Sequence, residues 1–416
     1  MSSTAFEQAA GVPLRYHPGH MANRWAALAI VFVTRTSMGF QFQSVAAVAP
    51  LMVGELHLTW VQLGSLIGLY MLPGAVFALP GGVLGQRFGD RRTVMASLAL
   101  MVAGGLVTAA AHGFMVAVGG RVLSGIGAVL MNILLAKMVA DWFAGRELST
   151  AMGIMLSSWP VGLGVAAATL GSLATHATWR TAIVATALVA ALGLALIAFV
   201  YRDPPRAGGA SPVAARRVKL TSREIALATS GGFAWGCFNA SLVAIIAFGP
   251  GLLTARGTSL GDAGFVVSLA IWLTMLSVPL GGLVSDRLRR PNVLIVGGCL
   301  VAALVTSSIP AFPQPLVAFG LVGLAIGAPP GALMALLPNV VPSERLAAAF
   351  GVYYTMYYVV MAVVQLAAGA VRDFHGSPAA PIHLAALVMA ATVLGLVVFR
   401  LIERRGPTLT RPPALL

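Results

Sequence analysis

Long apolar runs separated by short polar segments alternate along almost the whole chain. A transmembrane helix needs about 20 apolar residues, because the hydrocarbon layer is roughly 30 Å thick and a helix rises about 1.5 Å per residue. Twelve runs meet that length. They cover approximately residues 25–51, 60–84, 93–111, 114–136, 148–173, 182–201, 225–253, 263–285, 293–312, 316–341, 346–371 and 382–402. The pattern predicts an all-α membrane protein with twelve transmembrane helices.

Composition supports this interpretation. Hydrophobic residues make up 58% of the 416 residues and charged residues only 9%, whereas soluble domains carry roughly a quarter. A water-soluble enzyme is therefore excluded. The net charge of +14 would suggest nucleic acid as a partner in a soluble protein, but here the charges lie between apolar runs, next to a lipid bilayer. The first run is too long for a removable signal peptide, so we expect it to be retained.

The positions of Lys and Arg predict the orientation, because these residues are concentrated on the cytoplasmic side. With both termini inside, only Arg180, Arg256 and Arg372 fall in loops on the opposite side. We therefore expect a multi-pass membrane protein with cytoplasmic tails at residues 1–24 and 403–416. The basic, Pro- and Gly-rich segment 202–223 is interpreted as a cytoplasmic linker between six-helix bundles at 25–201 and 224–402.

An internal repeat relates the two bundles. GGVLGQRF at 81–88 is echoed by GGLVSDRL at 281–288, and RELSTAMG at 146–153 is echoed more weakly by ERLAAAFG at 344–351. Parallel repeats of this kind are typical of transporters whose two bundles move around a central site.

These motifs resemble those of the major facilitator superfamily. The stretch GVLGQRFGDRR at 82–92 is similar to the signature of its loop 2-3, and RVLSGIG at 121–127 to that of its helix 4. The resemblance implies two six-helix bundles, alternating access, transport rather than catalysis, no cofactor or metal, and a monomer. The chain looks nearest to cyanate, nitrate and organic-anion porters, although its helix 1 does not decide among them.

The resemblance also implies a conformational-gating role for the loops that follow the second helix of each half. The residues concerned are Gln86, Arg87, Asp90, Arg91, Asp286 and Arg287. Gln86 replaces the family's carboxylate, which the second half keeps as Asp286. In the family this carboxylate helps to hold the outward-facing state. Because a neutral amide cannot pair with a cation, we expect that state to be held more weakly here, or Asp90 to take part in holding it. The alternative is that this loop only controls topology.

No acid lies near the middle of a predicted span, since all twelve Asp and Glu fall in tails, loops or helix ends. Proton-coupled members of such a family generally use an intramembrane carboxylate or histidine. Exchange or facilitated diffusion is therefore favoured, and proton symport requires a substrate that carries the proton.

Two arginines lie inside predicted spans. Arg35 is about 15 Å into the first helix, and Arg121 is roughly 10 Å below the outer end of the fourth. Burying Arg at such depth costs about 2.5–3.5 kcal/mol on insertion scales, so we expect both to face an aqueous cavity and bind an anion. The alternatives are that Arg35 is a structural strut and that Arg121 bonds helix 1 carbonyls.

Further polar residues are candidates for the same site. Gln43 and Asn132 are each as consistent with helix packing as with substrate contact, and Asn239 lies in the middle of the seventh span, one turn after Trp235. Tyr354 and Tyr358 follow one face of the eleventh helix and can donate to an anion without adding negative charge. The pairs at 159–160 and 329–330 contain prolines and predict kinks.

The sequence thus predicts a secondary transporter of a small organic or inorganic anion. The alternative is a multidrug or lipophilic-compound exporter of the same fold with structural arginines. A sensor is disfavoured because the short tails hold no signalling domain, and an intramembrane enzyme because no nucleophile and base pair occurs in the spans.

Overall fold

The computed structural model describes residues 18–77, 84–85, 87–143, 147–203, 219–288 and 290–405. Regular structure within these ranges is helical and contains no strand. The first half contains α1 Pro18–Ala47, α2 Ala49–Leu56, α3 Trp60–Gly68, α4 Gly74–Phe77, α5 Asp90–Ala109, α6 Phe114–Trp142, α7 Leu148–His176 and α8 Trp179–Ala195, which continues as a π-helical turn Leu196–Val200. The second half contains α9 Ser222–Thr254, α10 Leu260–Leu288, α11 Pro291–Ser308, α12 Pro315–Ala325, α13 Pro330–Met334, α14 Ser343–His375 and α15 Ala380–Arg404.

The predicted all-α membrane fold is confirmed. Ten helical segments of the described residues are long and apolar enough to cross a membrane. The first predicted span is not among them, since α1 carries Arg35, Gln41 and Gln43. The second is interrupted, because α3 ends at Gly68 and α4 begins only after Pro73.

Several helix boundaries differ from the prediction. α1 begins at Pro18 rather than at residue 25, and it ends at Ala47, since Pro50 has no N–H to bond the carbonyl of Ala46. α2 then starts at Ala49. The tenth predicted span is divided between α12 and α13 at the predicted kink, where Pro330 starts the second segment. α7, in contrast, continues without interruption through Pro160.

Polar contacts between helix starts show that α1 and α7 begin at the same end of the bundle, as do α9 and α14. Arg24 of α1 donates to Glu147, just before α7, at 2.7 Å. Arg345 of α14 donates to Glu224 of α9 at 3.2 Å. These contacts lie at the end of the bundle where α1 begins and α15 ends, which we call the near end; the opposite end is the far end.

The two halves contact each other along two seams, α3 and α4 against α14, and α7 against α10. Glycines allow the backbones to approach closely there. A Cβ on Gly64 would collide with the carbonyl of Gln365, and one on Gly264 with that of Ala167. These contacts hold the halves together toward the far end and place the middle of α1 beside the second half.

Candidate functional site

Arg35 is fixed at the middle of the bundle by helices α6 and α7. Its Nε donates to the Asn132 Oδ1 at 2.8 Å. Its Nη1 donates to the carbonyls of Met155 and Leu156, at 3.1 and 3.2 Å, and to the Ser158 Oγ at 3.1 Å. The side chain is 7% exposed. Two of the three guanidinium nitrogens are therefore held by the first half.

Pro160 explains why a carbonyl of α7 is open to Arg35. In an α-helix the carbonyl of residue 156 would accept from the N–H of residue 160, and proline has no N–H. Leu156 is thus left with a free acceptor, which Arg35 occupies. The proline at the predicted kink thus frees a hydrogen-bond acceptor within helix α7.

The same relation recurs in the second half. Pro250 lies inside α9 and leaves the carbonyl of Ile246 without its helical donor. The Nε2 of Gln43 donates to that carbonyl at 3.3 Å, across the boundary between the halves. Two buried polar side chains of α1 therefore donate to carbonyls that prolines have freed.

The third nitrogen of the Arg35 guanidinium, Nη2, is free to donate. Nη2 donates to no group of the described residues, and this atom keeps some exposure to solvent. The phenol groups of Tyr358, Tyr354 and Tyr357 lie within electrostatic range of this guanidinium. The cation of the first half therefore lies near a tyrosine cluster of the second.

The three tyrosines form a compact cluster on α14. The rings of Tyr357 and Tyr358 are 5.0 Å apart, and those of Tyr354 and Tyr357 are 5.9 Å apart. None of their hydroxyls has a hydrogen-bond partner in the described part of the chain, and none is sealed from solvent. Tyr353 differs, because its hydroxyl contacts the Met334 sulfur at 3.7 Å. Three phenol donors are thus available to a ligand.

Sequence reasoning missed Tyr357 and Ser158 as parts of this site. Tyr357 is three residues after Tyr354, a helical spacing that places both on neighbouring positions of one face. Ser158 lies two residues before Pro160, beside the opened carbonyl. The two helical relations were visible in the sequence, but the approach of α1 to α7 was not.

Arg121 does not lie in this site. Its Nε donates to the Leu66 carbonyl at 2.9 Å, and Nη1 and Nη2 donate to the Gln41 and Phe42 carbonyls at 3.0 and 3.2 Å. Its carbon Cζ is 4.4 Å from the centroid of the Tyr70 ring, and the residue is 1% exposed. The expected anion contact is therefore corrected. Arg121 joins α1, α3 and α6, as in the alternative interpretation.

The remaining candidates divide by their contacts. Asn132 orients Arg35 and keeps a partly exposed side chain. Gln43 is 1% exposed and joins α1 to α9, so it contacts the other half rather than an open cavity. Asn239 donates to the carbonyl of Trp235 in its own helix at 2.8 Å, which leaves its Oδ1 free as an acceptor.

The near-end gating residues are only partly described. Gln86 and the side chain of Asp286 lie outside the described residues, while Arg87 and Arg287 are exposed. Asp90 forms an ion pair with Lys137 of α6. Arg91 donates to the Ile197 and Ala198 carbonyls at 3.1 and 2.6 Å. Asp90 and Arg91 thus bind the start of α5 to its own half, and the gating role of this set stays a prediction.

The far end carries a contact that sequence reasoning did not anticipate, which we call the far-end clasp. Asp373 of α14 accepts hydrogen bonds from the backbone N–H groups of Trp60 and Val61, at 2.9 and 2.8 Å. A carboxylate at a helix N-terminus is favourable. Arg372 was expected in a loop, but α14 extends to His375 and includes it. Arg372 is 8% exposed, and its Cζ lies 3.1 Å from the Trp60 ring centroid.

Comparison with known proteins agrees with this architecture. A sequence model described as the Major Facilitator Superfamily matches residues 31–250 and 226–414. The 3-(3-hydroxy-phenyl)propionate transporter of Escherichia coli is 29% identical over 308 residues, covering 71% of this chain and 73% of that protein. The hexuronate transporter of Bacillus subtilis is 24% identical over 253 residues, covering 58% and 60%.

A solved structure shares the fold. It is a bacterial homolog of the human lysosomal transporter Spinster, in an inward-facing and unoccupied conformation, with a TM-score of 0.73. The two sequences are 16% identical, and the match covers 92% of this chain and 97% of that one. At that identity the likeness concerns the fold alone.

Proposed function

The chain belongs to the Major Facilitator Superfamily, and from that membership we propose that it carries a small anion, and more narrowly an organic carboxylate, by alternating access. As a member of this family it is a multi-pass integral membrane transporter and not an enzyme. The cyanate and nitrate subgroup is not represented by the relatives described above, so that finer resemblance stays a prediction.

One observation carries the proposal: Arg35 keeps one unpartnered guanidinium nitrogen, Nη2, within electrostatic range of three unpartnered tyrosine hydroxyls of the other half. No carboxylate of the described residues forms an ion pair with Arg35. A guanidinium N–H and phenol groups are donors that suit an oxyanion. The group that completes this arrangement electrostatically is therefore an anion.

The names of the two relatives support a carboxylate. Both 3-(3-hydroxy-phenyl)propionate and hexuronate are organic acids that are ionised near neutral pH. A carboxylate offers two oxygens. One can accept from Nη2 of Arg35, and the other from a hydroxyl of the tyrosine cluster.

The site suggests how binding is linked to movement. Arg35 belongs to the first half and the tyrosine cluster to the second, so a bound anion contacts both bundles at once. Bundles that rock around such a site expose it to one side at a time. Because no titratable acid takes part, we propose exchange or facilitated diffusion, with proton symport only if the substrate carries the proton. We place the protein in a bacterial inner membrane with both termini in the cytoplasm.

A thermal-shift screen on detergent-purified protein tests the proposal. Small carboxylates and oxyanions are compared with neutral and cationic compounds, for the wild type and for Arg35→Gln. A ligand of the folded state raises the melting temperature by mass action. We expect carboxylates to stabilise the wild type and not Arg35→Gln. Stabilisation by a neutral or cationic compound that survives the substitution would favour the lipophilic exporter instead.

A further inference from the structure

Two cavities lie on the surface of the first half, away from Arg35. The larger has a volume of about 470 Å³ and is bounded by Arg87, Arg92 and Phe88 at the near end and by Leu100 and Leu130 further in. The smaller has a volume of about 210 Å³ and is bounded by apolar residues of α4 and α6 and of the turn between α3 and α4. Neither cavity contains a residue of the transport site.

The two cavities follow one stripe of α6. Val122 and Ile126 bound the smaller cavity, and Leu130 bounds the larger. Residues spaced by four share a helix face, and these three span about 12 Å along the axis. The smaller cavity opens where Pro73 and its neighbours interrupt the second span. We call the two cavities along this stripe of α6 the α6 groove.

The charges of the α6 groove are at one end. Arg87 and Arg92 are exposed at its near-end mouth, and neither forms an ion pair with an acid of the described residues. Asp90, the adjacent acid, is engaged by Lys137 instead. Arg87 lies 5.4 Å from the centroid of the exposed Phe88 ring. The groove thus has a cationic mouth and an apolar floor.

We propose that the α6 groove binds an anionic phospholipid, with the phosphate at Arg87 and Arg92 and an acyl chain along Val122, Ile126 and Leu130. A soluble phosphate compound would leave the apolar floor in contact with water or detergent, and a neutral lipid would leave two arginines uncompensated. Anionic lipids are attracted by basic residues next to the membrane surface. This site is separate from the transported anion, and its occupant is part of the bilayer.

Native mass spectrometry of the full-length protein tests this inference with phosphatidylglycerol as the probe. Each arginine beside an anionic lipid contributes roughly a factor of five. We therefore expect Arg87→Gln/Arg92→Gln to bind phosphatidylglycerol about thirtyfold more weakly than the wild type. Arg404→Gln/Arg405→Gln, which removes the same charge from the near end of the other half, should bind it as the wild type does.

A second substitution tests the floor of the groove without altering charge. Ile126→Trp fills the smaller cavity and should displace the lipid while leaving the melting temperature near that of the wild type. Equal loss of phosphatidylglycerol in both arginine double variants would contradict the proposal, as would unchanged binding by Ile126→Trp. Competition by glycerol phosphate as strong as that by the lipid would show that the site takes a soluble phosphate.

Discussion

At the scale of single residues, the site depends on hydrogen-bond acceptors that the backbone supplies. Arg35 is predictable from the sequence because it is a lone cation in the middle of an apolar span without an acid nearby. Its partners are not predictable, because the carbonyls of Met155 and Leu156 belong to a helix about 120 residues later in the chain. The partners of Arg121 are unpredictable for the same reason, because packing alone brings the carbonyls of α1 and α3 to it.

Pro160→Ala tests the origin of the Arg35 position. Alanine restores the N–H that pairs with the Leu156 carbonyl, so Arg35 loses one partner while α7 gains a hydrogen bond. One hydrogen bond contributes about 0.5–1.5 kcal/mol, and we expect the Kd for a carboxylate to rise roughly two- to tenfold. The melting temperature should not fall. Pro250→Ala is the control: it removes the reason for the Gln43 contact and should leave the Kd unchanged.

The tyrosine cluster yields a second prediction at this scale. Replacing Tyr354, Tyr357 or Tyr358 by Phe removes a free hydroxyl but keeps the ring packing. If each hydroxyl donates to the bound anion, the substitution should raise the Kd by roughly two- to tenfold, as measured by isothermal titration calorimetry. Tyr353→Phe should not, because that hydroxyl contacts Met334. An effect of Tyr353→Phe equal to the other three would mean that packing, not donation, is being measured.

At the scale of elements, the hydropathy pattern determined most helices but not their interruptions. Ten described segments are recognisable by length and apolarity alone. The breaks in the second and tenth spans occur at prolines that leave backbone groups unpaired, and such breaks persist only where neighbouring helices compensate. The far-end clasp was missed for a related reason: Asp373 caps a helix that starts more than 300 residues earlier.

The far-end clasp predicts how the equilibrium between conformations responds to a neutral substitution. Asp373→Asn removes the negative charge from the N-terminus of α3 and weakens closure of the far end. Spin labels are placed at His112→Cys and Ala255→Cys, which are exposed far-end positions of the two halves. In Asp373→Asn a larger fraction of molecules should have the two labels far apart. Asp262→Asn, an acid at the same end that contacts Ser259 of its own half, should leave the distances as they are. Identical distributions in the two variants would contradict a latching role.

At the scale of the whole molecule, the alternation of helix directions places both described ends of the helical bundle on one side. The same feature makes the orientation testable. Arg405→Cys lies at the near end and His112→Cys at the far end, and both positions are exposed. If the near end is cytoplasmic, a membrane-impermeant maleimide should label His112→Cys in intact cells and Arg405→Cys only after permeabilisation. The reverse pattern would invert the topology that we infer from the distribution of Lys and Arg.

The proposed anion site lies between the two halves of the molecule. Arg35 is held by the first half, the tyrosine cluster by the second, and a carboxylate between them is what we propose to be transported. A neutral isostere keeps the shape of the ligand but not its charge. The comparison of an acid with its primary amide therefore isolates the interaction that matters.

The most direct measurement is a thermodynamic cycle by isothermal titration calorimetry, with a carboxylate from the thermal-shift screen and its amide, each against the wild type and Arg35→Gln. A charged hydrogen-bonded pair contributes about 1.5–3 kcal/mol. We expect the wild type to bind the acid about 10- to 100-fold more tightly than the amide, and Arg35→Gln to bind the two equally. An equal preference for the acid in both proteins would show that Arg35 does not recognise the anion.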